Sequence, residues 1–222
     1  KGADSTVWLA WAQLEEKERG AGEYSKENTA LWIYRKACLE KGTDSTIWLA
    51  WAQLEEKERG AGEYSKENTA LWIYRKACLE KGANGVVWAA WGQLEEKKRG
   101  AGEYSEENTA LWIYWKACLE KGADGVVWAA WAKLEEQKAN IGEYDQEYTA
   151  RWILNEGIKR FPNFGPFYSA IADLELRRQM PGRAREILRK GAEYNDFSIG
   201  NLAVLELYCG NIDTDSEYCT NK

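Results

Sequence analysis

Four tryptophans, Trp8, Trp48, Trp88 and Trp128, stand 40 residues apart, and Tyr168 takes the same slot one period later. A period of this size marks stacked supersecondary units, each too small to bury its own hydrophobic face. It overrides the one or two globular domains that a length of 222 residues would otherwise suggest. Residues 1–40 and 41–80 differ only at Ala3/Thr43 and Val7/Ile47, the third copy differs modestly, and the fourth drifts after Leu134. Such near-identity points to recent internal duplication or deliberate design. The expected divisions of this single array are repeats at 1–40, 41–80, 81–120, 121–160 and 161–195, then a C-terminal capping helix and tail at 196–222. Lys1-Gly2 matches the helix end at Lys41-Gly42 and the only methionine is Met180, so the chain reads as part of a longer array.

Each unit divides into two helices. Val7, Trp8, Trp11, Ala12 and Leu14 lay an apolar stripe at helical spacing, which predicts helix A over about residues 5–19. Asp4 or Ser5 offers the N-cap oxygen and Gly20 the terminator. Helix B follows with Ser25 as its expected cap. Ala30, Ile33, Tyr34 and Ala37 form one stripe on it, and Trp32, Cys38 and Leu39 form another. Two apolar faces mean burial against two neighbours. Gly42, Gly82, Gly122 and Pro162 share the slot that stops helix B. The unit is a helical hairpin.

These residues resemble a known family. Ala30-x3-Tyr34-x2-Ala37, with a large aromatic ahead of the small Ala12, is similar to the tetratricopeptide repeat, and the half-a-TPR (HAT) variant fits helix A more closely. Its pattern reads here as Trp8-x2-Trp11-Ala12-x-Leu14-Glu15. The string recurs as Trp48…Glu55, Trp88…Glu95 and Trp128…Glu135, and in weaker form as Tyr168-x2-Ile171-Ala172-x-Leu174-Glu175. Ile199-x2-Leu202-Ala203-x-Leu205-Glu206 reads as a last, isolated helix A. The resemblance covers nearly the whole chain and implies an all-α fold, a right-handed α-solenoid of stacked antiparallel hairpins.

Two departures stand out. HAT-like helices B carry an arginine after the first small residue. Ala150-Arg151 and Ala184-Arg185 comply, but Leu31, Leu71 and Leu111 stand there in the first three copies. The early hairpin loops are also six residues longer than that of the fifth repeat, and each repeats a tyrosine: Tyr24, Tyr64, Tyr104 and Tyr144. Such a row either grips a partner along one edge or folds back onto the neighbouring helix.

Twelve of the 13 tryptophans occupy the slots of Trp8, Trp11 and Trp32, where core packing accounts for them. Each buries on the order of 150–250 Å², a gross gain of roughly 4–6 kcal/mol before entropy. Trp115 breaks the pattern by replacing Arg35 and Arg75, and reads as exposed or at a contact. Cys38, Cys78 and Cys118 repeat with the period and read as thiols packed in helices; Cys209 and Cys219 give only a weak disulfide or metal signal.

The chain has no histidine, so neither a Ser-His nor a Cys-His nucleophile pair can be assembled. Glu15 and Glu16 point about 100° apart on a helix and cannot share a substrate as a glycosidase pair does. Solvation or pairing between helices is the expected role of these carboxylates. The glycines of Gly20-Ala21-Gly22 lack the strand that precedes a phosphate loop. An enzyme, a metal and a cofactor are therefore not expected. No run of 18 apolar residues exists and no apolar leader core lies near the start, so the expectation is a soluble cytoplasmic protein with no membrane partner.

By resemblance, a partner binds along the concave groove lined by helices A, on the face opposite the tryptophan stripe. The matching residues are Thr6, Leu9, Gln13, Glu16 and Lys17 in the first repeat and Thr46, Leu49, Gln53, Glu56 and Lys57 in the second. Ala89, Gln93, Glu96 and Lys97 follow in the third, then Ala129, Lys133, Glu136 and Gln137 in the fourth. Glutamine both donates and accepts, which suits an extended peptide backbone, though ordinary solvation of a helix face explains the same residues. The net charge of −6 hides a basic step in the fifth repeat, Arg177, Arg178, Arg183, Arg185, Arg189 and Lys190, flanked by acidic stretches. That patch would take phosphate or an acidic segment; equally, the cations answer a helix C-terminus and the acidic tail.

Two functions follow. The first is a non-catalytic scaffold that binds a protein or peptide along the groove. The alternative is an RNA-associated array using the basic fifth repeat, as several HAT-bearing proteins act in RNA processing. The scaffold reading is preferred because phosphate contacts need a continuous basic surface and only one repeat supplies one. An uncovered apolar face on the first helix A also predicts end-to-end self-association.

Overall fold

The computed structural model describes residues 5–41, 44–142 and 146–212, and the described residues are helical with no strand. Asp4, Gly42, Tyr144, the side chains of Cys209 and Cys219, and the tail beyond Ile212 lie outside what it describes. Two compact units are present, residues 1–123 and 124–222.

In the first unit, helices A are α1 (Ser5–Arg19), α3 (Ser45–Arg59) and α5 (Gly85–Arg99). Helices B are α2 (Ala30–Lys36), α4 (Ala70–Glu80) and α6 (Ala110–Trp115), with α2 and α6 running on as wider π-helical turns over Ala37–Lys41 and Lys116–Glu120. Each helix packs on its hairpin partner, and α3 also packs on α1 and α2. The second unit holds α7 (Gly125–Gln137), α8 (Ala150–Arg160), α9 (Pro166–Arg177), α10 (Pro181–Ala192) and α11 (Asp196–Ile212), again packed in adjacent pairs.

The tryptophans form the core. Trp48, Trp51, Trp88, Trp91, Trp128 and Trp131 are buried, and the Trp32-slot rings meet the second ring of each helix A edge-on, as Trp72 meets Trp51 with centroids 6.3 Å apart. Offset and edge contacts of this kind suit the ring quadrupole. Trp115 is half-buried. Cys38, Cys78 and Cys118 are buried, and burial pushes the Cys78 thiol well above its ordinary range, which makes it a poor nucleophile.

Helix A stops as expected at its glycine, with a backbone only glycine accepts: Gly60 has φ 76° and ψ −170°. Helix B starts later than the sequence suggests. Thr29, not Ser25, is the cap, its side-chain oxygen accepting from the Trp32 N–H, and Thr69, Thr109 and Thr149 repeat the arrangement. The residues between helices fold into a compact turn instead of a projecting loop. The Leu31 N–H returns to the Ala21 carbonyl at 3.1 Å and the Thr29 hydroxyl donates to the Glu23 carbonyl at 2.7 Å. A Cβ at Gly22 would lie 2.5 Å from Thr29, so only glycine lets this turn close.

That turn aims its tyrosine at the next repeat. The Tyr24 hydroxyl donates to Glu55 Oε1 at 2.5 Å and accepts from the Trp51 indole N–H at 2.8 Å; Arg59, one turn along α3, completes the carboxylate's partners. The next repeat reproduces the set: Tyr64 donates to Glu95 at 2.6 Å, Trp91 donates to Tyr64 at 2.9 Å, and Arg99 Nε meets Glu95 at 2.5 Å. Glu55 and Glu95 are buried. Burial raises the Glu55 carboxyl pKa above its ordinary value against the pull of the Tyr24 and Arg59 hydrogen bonds. Burial and then the facing carboxylate likewise raise the Tyr24 and Tyr64 phenols. Of the two roles open to the tyrosine row, Tyr24 and Tyr64 take the inward one.

Candidate binding groove

The second of each carboxylate pair has a different duty. Glu16 faces Lys57 at 3.4 Å, Glu56 faces Lys97 at 3.6 Å, and in the second unit Glu136 pairs with Arg177. Each rung joins one helix A to the next through the slots of Glu16 and Lys17. These pairs are solvated, so each contributes at most about 1 kcal/mol.

Between α3 and α5 the ladder opens a cleft of about 560 Å³ lined by Gln53, Glu56, Lys57, Leu94, Lys97 and Lys98, with Gly60 and Ala61 at its end. A smaller one, about 240 Å³, adjoins it and adds Tyr74, Ala90 and Gln93. The two share Gln53, Glu56, Leu94 and Lys97, giving a continuous strip with amide, phenol, carboxylate and ammonium groups around an apolar floor. Burial keeps the Tyr74 phenol neutral at all ordinary pH.

Of the residues the sequence points to, Gln53, Glu56, Lys57, Gln93 and Lys97 come together in these clefts. Thr6, Gln13, Lys17, Thr46, Lys133 and Gln137 are exposed on their own helices A, while Leu9, Leu49, Glu96 and Ala129 are half-buried. Ala89 is 4% exposed, inside the core and not on the open face. Leu94, Tyr74 and Ala90 join the strip without having been singled out: Leu94 belongs to the apolar stripe and Tyr74 comes from helix B.

The six cations of the fifth repeat do not form one open patch. Arg177 is held by Glu136, and Glu206 of α11 meets Arg185 at 2.8 Å and Arg189 at 3.4 Å. Arg178, Arg183 and Lys190 are exposed. The first carboxylate of the pair is answered by an arginine here: Arg151, from α8, reaches Glu175 of α9, and both side chains are fully buried. Glu135 is met by the Asn140 amide at 2.5 Å and by Lys138 at 3.7 Å.

Among the described residues no group of three or more His, Cys, Asp or Glu side chains is placed to hold a metal ion, and no helix is long and apolar enough to cross a membrane. No protein-family model and no curated protein matches the chain.

Proposed function

We propose that the chain is a non-catalytic scaffold of the tetratricopeptide-like class, closest to HAT repeats, a right-handed solenoid that works in the cytoplasm. It holds an extended peptide or a segment of a partner protein along the helix A surface. The paired clefts between α3 and α5 carry this reading, because Gln53 and Gln93 stand one repeat apart on their rim. Primary amides at a regular step pair with the alternating N–H and C=O groups of an extended backbone. Lys57, Lys97 and Lys98 beside them favour a segment with acidic side chains. The competing RNA reading needs a continuous cationic surface, and Arg177, Arg185 and Arg189 face carboxylates of their own unit.

The test is capture from host lysate with a photo-crosslinker at Gln53, read for protein and for RNA. The protein carrying the crosslinker is run beside the same protein with Gln13→Glu/Gln93→Glu and with Arg185→Glu/Arg189→Glu. The expected result is a protein adduct mapped to Gln53 and lost only with the glutamine variant. RNA recovered by the protein carrying the crosslinker alone and lost only with the arginine variant replaces the peptide with RNA.

A further inference from the structure

Two helices with almost the same sequence have different surroundings. On α3, Ile47 and Leu54 are 0% and 3% exposed where the helix packs on α1 and α2. Their counterparts on α1, Val7 and Leu14, are 57% and 56% exposed. An open depression follows them, lined by Thr6, Val7, Ala10, Trp11 and Leu14, with an almost wholly apolar wall.

The polar half of the interface repeats this difference. Glu55 receives the Tyr24 hydroxyl, and the Trp51 indole N–H ends on that same oxygen. On α1, Glu15 Oε2 is buried without a hydrogen-bond partner, and Arg19 stands 3.3 Å from it. An apolar partner of arbitrary shape would cover Val7 and Leu14 but leave that carboxylate oxygen, ion-paired to Arg19, still short of a hydrogen bond.

We infer that the α1 face, Val7, Trp11 and Leu14 with Glu15 at its edge, is a docking site for a helical hairpin of the repeat's own sequence whose turn presents a tyrosine hydroxyl to Glu15. The α1–α2 hairpin already makes this contact with α3, whose packing face differs from that of α1 only at Ile47. The Tyr24 and Tyr64 hydroxyls are engaged within the molecule. The occupant is therefore a hairpin whose turn tyrosine is not already engaged, which excludes these two in a second copy.

The experiment joins one more copy of residues 1–40 in register ahead of Lys1 in the full chain and follows hydrogen exchange. A docked copy is protected along its own helices and raises the protection of α1 amides by about tenfold or more. Changing the added copy's tyrosine, Tyr24→Phe, removes about fivefold or more of that gain, the equivalent of one hydrogen bond. Val7→Glu/Leu14→Glu in the host chain, both at exposed positions, abolishes the gain. An added copy that exchanges as an unfolded segment overturns the docking site, and equal protection by the tyrosine and phenylalanine copies overturns the tyrosine contact.

Discussion

The second and fifth repeats solve one problem in two ways. Each buries the glutamate that follows Leu54 or Leu174 in helix A, and a buried carboxylate must be both hydrogen-bonded and charge-compensated. Glu55 takes a neutral hydroxyl from Tyr24, in the turn of the preceding hairpin, and its cation from Arg59 on its own helix. Glu175 takes both from Arg151, on the preceding helix B. Sequence slots exchange accordingly: where Arg151 stands the early copies have Leu31 and Leu71, and where Arg59 stands the fifth repeat has Gln179. In the first two hairpins the longer turn carries a tyrosine to a glutamate that no arginine of the preceding helix B reaches. In the first three hairpins the long turn goes with a leucine in the arginine slot, whereas the fourth keeps the long turn beside Arg151.

The largest effect that sharpens this contrast is expected at Arg151. Arg151→Leu strands a fully buried carboxylate and costs about 3–5 kcal/mol in urea unfolding, with most of it recovered by Glu175→Leu in the same chain. Tyr64→Phe removes a neutral donor while Arg99 stays, so its cost is about 1–3 kcal/mol. A Tyr64→Phe cost equal to that of Arg151→Leu would break the distinction between the two solutions.

Alkaline pH separates the two solutions next. Because Tyr24 and Tyr64 are raised in the folded state by burial, they ionise first in the unfolded chain, near pH ~10. Their contribution is complete below that value and falls as pH rises above it. The stability gap between wild type and Tyr24→Phe/Tyr64→Phe therefore narrows above pH ~10, measured as urea midpoints across the range. The Arg151 pair holds no phenol, so this comparison has no counterpart there. Smallest is the surface ladder: Lys97→Met, which unpairs Glu56, changes stability by less than about 1 kcal/mol, and high salt reduces the difference further.

Much of this was legible in the sequence. The 40-residue period and the tryptophan stripes give the helical hairpins, with helix A at Ser5–Arg19 as read. Its apolar spacing and glycine stop are local signals. The start of helix B was not legible, because Ser25 and Thr29 are both capping residues and the choice depends on how Gly22 lets the turn close against Thr29. Nor did the pair Glu15-Glu16 reveal which member is buried. Glu55 points toward Trp51 and the Tyr24 turn while Glu56 points to Lys97, a split set by contacts between repeats. Ala89 was placed on the open face by matching slots, and the structure buries it. In the groove, the helical period brought Gln53, Glu56 and Lys97 together on paper, but Tyr74 enters from helix B and required the packed hairpin. Of the basic cluster, composition gave the charge but not the partners: Glu206 and Glu136 lie 21 and 41 residues away from Arg185 and Arg177.

A double-mutant cycle on Tyr64 and Glu95, using Tyr64→Phe, Glu95→Gln and the pair in urea unfolding, tests the tyrosine–glutamate contact most directly. A favourable coupling of about 1 kcal/mol or more is expected if the turn tyrosine stands in for the arginine of the later repeat. Costs that add to within about 0.3–0.5 kcal/mol would contradict it and leave the long turn without its structural reason.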